Sequence, residues 1–500
     1  MNQKSSQATS ADAGEPLLFQ QAPDFALRQD HVLRLPIVKL TTRIAQRELS
    51  AVELVGQSLQ RAHTINPALN AFCLILDEEA LRLAEKADAA VKKGDPLGPL
   101  HGIPFAAKDL TPTRGHLTTR GSWTTGNWIP DHTALCIERL QAAGAILIGK
   151  TTTPEFAFSS FTQSKRWGVT RNPWNTSRTP GGSSGGSAVA VATGCVPFAE
   201  GTDMGGSVRI PAACCGVVGV KPSLGRIPMT ILPSQFDSIS HFGPLARTVE
   251  GAALFIAATA GPSSQDIQSF TEKFQFQNTR ARALKGLRFA VSMDQGYYRI
   301  DPAVLDAMSK TLAVLRNAGA VVEEVTLPWT RANNDQWYDY WCVFMASFFG
   351  HHVDQFGSQM DEEVVEAITR GKHMSAVHFK SIEFLRTTIW QDFAAVLDRF
   401  DYVLTPTCSI PAPSVDHSDR DYGNDNADGK YEGFEMTLAF NLIPACPVIS
   451  LPIGLSPDRL PLGMQIVGQR YADESLLSAA RSIEHVLSEC KLWPSPISRT

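Results

Sequence analysis

A chain of 500 residues with 43% apolar and 19% charged residues has enough apolar surface for a large buried core, which excludes a disordered or fibrous protein. Its net charge of −5, without a run of like charges, excludes the basic face of a nucleic-acid binder. The nine cysteines are scattered and lack a CxxC pair. They therefore exclude a disulfide framework and a thiolate zinc site, and the Cys214–Cys215 pair reads as packing.

Met1–Gly14 is polar, without the apolar run of a signal peptide, and residues 1–35 read as a loose, Gln-rich arm. No stretch reaches the ~18 apolar residues that span a bilayer, so the chain is expected to be cytoplasmic, with reduced thiols and no membrane span. Ordered structure is expected from about Ile37. Ser50 and Glu53 form the pattern of a capping box and predict a helix through Ala62, with Val52, Leu54, Val55 and Leu59 on its apolar side. Leu69–Leu76 is a short apolar run, hence a strand. Glu78–Lys93 has helical periodicity through Ala80, Leu81, Ala84, Ala87 and Ala90.

From there the chain alternates. Ile103–Ala107 predicts a strand, His132–Ala143 a helix and Ala145–Ile148 a strand. Leu287–Val291, Pro302–Ala318 and Ala320–Val325 repeat that order, with proline at the helix start. Tyr402–Leu404 and Val448–Leu451 are further strands. Strand–helix–strand repetition predicts an α/β fold, a large mixed sheet covered by helices on both faces. Residues 36–500 are expected to form one domain. A helical insertion over about 331–435 carries the aromatic cluster at 337–349 and a polar loop at His417–Gly429. That cluster lines a substrate pocket or packs on the core as an amphipathic helix.

Within the segment Thr179–Pro222 lie two Gly/Ser clusters, GGSSGGS at 181–187 and GTDMGGS at 201–207, separated by the apolar run Ala188–Thr193. A linker does not alternate with buried segments, so these glycines read as special backbone turns or close backbone approach. Neither cluster ends in the Lys-Ser or Lys-Thr of a phosphate-binding loop. Arg209 occupies the last glycine position of a hydrolase elbow centred on Ser207. What remains is a turn that aims N–H groups at an oxyanion beside a serine.

A serine hydroxyl needs a base. His101, His116 and His132 stand upstream, with structural or surface roles as the better account. Lys108 follows the apolar run Ile103–Ala107 and precedes Asp109; buried at a strand end it is either a base of lowered pKa or a salt-bridge partner. No His, Cys, Asp or Glu cluster has metal-ligand spacing, and neither metal nor cofactor is expected.

Taken together, HGIPFAAKD at 101–109, GGSSGGS and GTDMGGSVRIPAACCGVVGVKP at 201–222 closely resemble the amidase signature family. The resemblance runs from about Leu40 to Leu487 and includes AAGAILIGKTTTPEF at 142–156, RNPW at 171–174, TPT at 405–407 and PLGMQIVG at 461–468. It implies the amidase signature fold and a Ser–cisSer–Lys triad in which Lys108 is the base, Ser183 the bridging serine and Ser207 the nucleophile. It also implies an oxyanion hole from the backbone N–H groups of Met204, Gly205, Gly206 and Ser207. Thr202, Asp203 and Arg209 would support the nucleophile loop, or serve only as caps and ion pairs. The departures are Met204 where threonine is frequent, Cys214 for an aromatic and Ser223 for threonine.

By that resemblance the chain hydrolyses a carboxamide C–N bond through an acyl-serine. The expected substrate is a small aryl or alkyl amide, and a homodimer is the assembly considered. A glutaminase-type subunit of an amidotransferase and an esterase on the same scaffold are the alternatives. The amidotransferase subunit typically carries an RQP sequence after its nucleophile, whereas this chain has Arg209-Ile210-Pro211. A binding protein without catalysis would be expected to have lost a triad residue, and all three are present.

Overall fold

The structure, a computed structural model, describes residues 32–425 and 428–489; the N-terminal arm lies outside them up to residue 31. In chain order the strands are β1 (Phe72–Ile75), β2 (Pro104–Lys108), β3 (Ile146–Thr151), β4 (Gln163–Ser164), β5 (Gly168–Val169), β6 (Phe198–Asp203), β7 (Val218–Lys221), β8 (His241–Ala246), β9 (Arg288–Val291), β10 (Val321–Glu324), β11 (Tyr402–Pro406), β12 (Val448–Leu455) and β13 (Pro461–Val467). Strands β4 and β5 form a hairpin of their own. The other eleven form one sheet in the order β1-β3-β2-β6-β8-β7-β12-β13-β11-β9-β10.

The sheet is mixed, as expected. The triplets β3-β2-β6 and β11-β9-β10 are parallel. The junctions between and outside them are antiparallel. Alternation along the strands sends side chains to opposite faces. On β2, Phe105 and Ala107 join one core layer and Ala106 the other. On β6, Phe198 and Ala199 divide in the same way.

The first layer is covered by the helices Ile37–Ala45, Leu135–Ala142, Val249–Thr259, Pro302–Asn317 and Asp473–Glu489. The second is covered by Ala51–Leu69, Asp77–Lys93, Gly185–Ala192 and Arg209–Cys215. The period of two therefore puts Lys108 on the same side as Ala106, facing the helix Gly185–Ala192.

Element boundaries differ from the sequence expectation where burial continues past a polar or proline signal. The helix opened by Ser50, whose Oγ accepts the Glu53 N–H at 2.9 Å, runs to Leu69 rather than Ala62, because Ile65 and Leu69 extend its buried stripe. Asn70 ends it in the left-handed conformation, so the strand expected over Leu69–Leu76 shrinks to β1. Strands β6 and β8 were not foreseen. FAEGTD and HFGPLA carry the Glu, Asp, Gly and Pro that strands disfavour, yet every residue of both is buried. The expected insertion contains the helices Ala332–Phe356, Glu362–Lys372 and Ala376–Leu397, after which the chain returns to the sheet at β11.

Phe198 stacks on Phe105 at 5.9 Å and meets Phe255 edge-on at 5.7 Å, coupling β6 to β2 and to the helix above. Phe198→Ala is expected to destabilise the fold by about 3–5 kcal/mol, read as a lower urea midpoint with an unchanged slope. A loss below about 1 kcal/mol would show that this layer does not hold the sheet centre.

Candidate active site

Two adjacent parallel strands end side by side here. β2 ends on Lys108 and β6 ends on Thr202-Asp203, and the two Gly/Ser loops close over these ends. Lys108 is fully buried, with Nζ 2.7 Å from Ser183 Oγ and 3.0 Å from Thr202 Oγ1. Among the described residues no carboxylate lies within ion-pair distance of that amine. Burial pushes its pKa down to about 7, against the opposing pull of Glu200 and Asp203.

Glu200 is the reason the amine stays unpaired. Its carboxylate accepts the backbone N–H of Lys108 at 2.8 Å and the Thr111 hydroxyl at 2.9 Å. Burial raises its pKa, with those hydrogen bonds acting in the other direction. The nearest acid is thus engaged with the lysine's main chain and not with its side chain.

The loops themselves are stitched through polar backbone contacts. The Gly182–Ser183 peptide bond is cis. The Ser184 N–H donates to the Ser207 carbonyl at 3.1 Å, and the Ser187 hydroxyl donates to the Glu200 carbonyl at 2.8 Å. Ser183, Thr202, Met204, Gly205 and Ser207 all line one cavity of about 280 Å³. Ser183 is fully buried at its base, while Ser207 is partly exposed to it.

Two glycines in the second loop have no substitute. Gly206 has φ +127°, a conformation that L side chains avoid, and a Cβ there would strike the Thr437 hydroxyl. A Cβ on Gly205 would strike the Trp337 ring. Trp337 Nε1 donates to the Met204 carbonyl at 3.0 Å, and the Thr437 hydroxyl donates to the Gly205 carbonyl.

Asp203 and Arg209 clamp the same loop from behind. Arg209 Nε and Nη2 each reach an Asp203 oxygen at 2.9 Å. Asp203 also accepts the Gly206 N–H at 2.9 Å, the Val208 N–H at 3.3 Å and Asn441 Nδ2 at 3.0 Å. Burial alone would raise the pKa of this carboxyl, but Arg209 and the hydrogen bonds outweigh it and hold it well below the usual carboxylate range. The remaining Arg209 donors go to Gln465 Oε1 at 2.7 Å, Asn441 Oδ1 at 2.6 Å and the Thr437 carbonyl at 3.1 Å.

The structure thus gathers every expected site residue around one cavity or directly behind it. Gly206 is the one whose placement differs in kind: its N–H points at Asp203 rather than into the cavity. The aromatic cluster reaches the cavity through Trp337, Tyr338 and Trp341, while Phe344 and Phe349 pack in the layer behind. Among the described residues lining that cavity there is no histidine. His101 bonds the Ala87 carbonyl at 3.0 Å, His116 pairs with Glu79 and His132 with Asp131.

Sequence reasoning missed Glu200, Thr437, Asn441 and Gln465. The last three lie more than two hundred residues from the loop they bind, and local spacing carries no signal for such partners. It also missed two further buried lysines. Lys150 faces Asp109 at 3.8 Å and Lys221 donates to backbone carbonyls, so neither amine meets the cavity serines.

A family model described as Amidase matches residues 53–477. An acylamidase of Rhodococcus erythropolis is 32% identical over 456 residues, 90% of this chain and 95% of that protein. One subunit of the glutamyl-tRNA(Gln) amidotransferase of Carboxydothermus hydrogenoformans is 33% identical over 478 residues, 89% of this chain and 96% of that protein. The solved structure of a bacterial aryl acylamidase, described as belonging to the amidase signature enzymes, matches with a TM-score of 0.84. It is 28% identical and covers 93% of this chain and 99% of that one.

Arg209→Lys keeps the charge but loses the fork that engages Asp203 twice. It is expected to cost about 3–5 kcal/mol, because buried partners are left unpaired. Thermal denaturation reads this as a marked fall in Tm. A Tm within a degree of the parent would mean the clamp does not hold the loop.

Proposed function

We propose, from the premise that the chain belongs to the amidase family, that it hydrolyses the C–N bond of a small linear aryl or alkyl amide through an acyl-serine. The observation that carries the mechanism is the fully buried Lys108 amine, 2.7 Å from Ser183 Oγ and without a carboxylate partner among the described residues. In its neutral form the amine donates to Thr202 and turns its lone pair to Ser183. Ser183 passes a proton to Lys108 as it takes one from Ser207, whose Oγ attacks the amide carbonyl.

The N–H groups of Met204, Gly205 and Ser207 hold the resulting oxyanion, while Gly206 anchors the turn to Asp203. The proton returns along the relay to the departing nitrogen as the C–N bond breaks. Water then attacks the acyl-serine by the same route and releases the carboxylate. Thr202, Asp203 and Arg209 act as positioning residues.

The cavity supports this substrate class. About 280 Å³ with an apolar wall of Phe158, Ile210, Trp337, Trp341 and Leu438, and charged groups such as Arg331, Glu363 and Glu435 also in the lining, suits a small amide with an aromatic or aliphatic body. The acylamidase relative and the aryl acylamidase structure support this reading. We take residues 36–500 as one amidase unit, with the three helices between Ala332 and Leu397 shaping its substrate side. All eight cysteines among the described residues are free, in keeping with a cytoplasmic site of action. No described helix is long and apolar enough to cross a membrane.

A second reading, a glutaminase working with partner chains, has the amidotransferase relative in its favour. Against it, Ile210 places an apolar side chain on the cavity wall, at the position where the RQP sequence of such glutaminases has glutamine. Purified chain is expected to hydrolyse aryl and alkyl amides and to leave glutamine unreacted. Glutamine turnover without amide turnover would reverse the choice.

Fluorophosphonate labelling followed by peptide mapping should place the adduct on Ser207, and Ser207→Ala should abolish both label and activity. An adduct on another serine would refute the assignment. Because the neutral amine is the active form, kcat/KM is expected to rise with pH through about 7 and stay level above it. Lys108→Arg should lose roughly 10³-fold, since a guanidinium does not deprotonate. Near-normal turnover by Lys108→Arg would make Lys108 a structural cation.

A further inference from the structure

Beside the catalytic cavity lies a second one of about 310 Å³, and Met204 forms part of the wall of both. Its lining is largely apolar, with Phe156, Leu232, Phe344, Phe348 and Phe349 among the contributing side chains. One cation, Arg120, stands in that lining. Among the described residues its guanidinium has no hydrogen-bond or ion-pair partner, and its Nε is buried and unsatisfied. Its guanidinium carbon lies over the face of Trp128 at 4.8 Å.

Among the described residues the surroundings supply no anion. Asp109 is the acid whose charge acts on Arg120, but its carboxylate is held by the Thr119 N–H and hydroxyl and faces Lys150 at 3.8 Å. Asp131 is exposed and paired with His132. His352 sits close enough to feel Arg120, and burial, followed by the charges of His351 and Arg120, pushes its pKa down to about 4, so it is neutral.

The backbone of Arg120 is in the left-handed region at φ 54°, which a long side chain adopts only under constraint. Two hydrogen bonds fix it there: its N–H donates to the Asp109 carbonyl at 2.9 Å, and the Phe156 N–H donates to its own carbonyl at 2.8 Å. Desolvating a guanidinium without an anion is costly, and stacking on one ring covers only one face of it. A planar fork with free donors suits a carboxylate, and the aromatic walls suit an apolar body.

We propose that this second cavity binds an apolar carboxylate, aryl or alkyl, with the carboxylate on Arg120 and the body against Phe344, Phe348 and Phe349. The proposal goes beyond the hydrolase reading and does not need turnover to be tested. Two sources supply that chemistry: the acid released by amide hydrolysis, or a substrate with a second carboxylate remote from the scissile bond.

Calorimetric titration of the full chain with 4-phenylbutyrate and with 4-phenylbutan-1-ol separates charge from apolar fit. The carboxylate is expected to bind at least about tenfold more tightly. Arg120→Gln should abolish that preference and leave alcohol affinity within about twofold. Should Arg120→Gln fail to fold, Arg120→Lys, which keeps a point charge without the fork, should retain an intermediate preference.

Turnover of adipic acid monoanilide and hexananilide separates the two sources. A substrate carboxylate makes Arg120→Gln slow only the monoanilide; a released acid makes 4-phenylbutyrate inhibit hexananilide turnover in the parent and not in Arg120→Gln. Equal affinity of the parent for carboxylate and alcohol, or an undiminished preference in Arg120→Gln, overturns the proposal. Binding through Arg120 in a chain that cleaves no amide would count against the hydrolase reading alone.

Discussion

The buried pair Asp203–Arg209 organises the region on which everything else rests. All five N–H donors of Arg209 are used: two on Asp203 and one each on Gln465, Asn441 and the Thr437 carbonyl. Asp203 in turn takes the Gly206 and Val208 N–H groups. A buried ion pair of this kind adds little net stability over an apolar equivalent. What it adds is geometry: one residue defines how the end of β6, the loop 203–208 and the segment Thr437–Asn441 face one another. The loop then exposes Ser207 to the cavity while its glycines leave room for Trp337 and Thr437.

Geometry alone does not distinguish Lys108 from the other buried lysines; the company each amine keeps does. Lys150 donates to the Thr111 carbonyl and the Thr118 hydroxyl with Asp109 at 3.8 Å, and Lys221 donates to carbonyl oxygens, arrangements that suit a donor. Lys108 meets two hydroxyls, while the acid behind it is diverted to its own backbone N–H. Burial pushes Lys221 down to about 7 just as it does Lys108, so what sets Lys108 apart is the Ser183 hydroxyl beside its amine.

Much of this is legible in the amino-acid order, and the reasons differ by residue. The helices from Glu78 and Pro302 announce themselves through periodicity or a proline start, because burial of one stripe is a local property. The Gly/Ser clusters are legible because glycine set among buried apolar residues signals a backbone turn or a close approach. Resemblance assigns Lys108, Ser183 and Ser207; their residue types alone leave histidine and a salt-bridged lysine open. β6 is illegible, since Glu200 and Asp203 violate strand preferences and are tolerated only because each finds a buried partner. Asn441 and Gln465 are illegible for a different reason, being ordinary polar residues until the sheet brings them to Arg209.

The separations along the chain carry a consequence for how the molecule matures. Lys108 meets Ser183 and Thr202 across 75 and 94 residues, and Arg209 meets Asn441 and Gln465 across 232 and 256. Closing such loops costs chain entropy before any contact repays it, so regions of high contact order consolidate slowly. During synthesis, the N-terminal half emerges with its serines and lysine but without the segments that fasten the loop 203–208. The contacts that fasten the loop 203–208 therefore form only once residues as far along the chain as Gln465 are available.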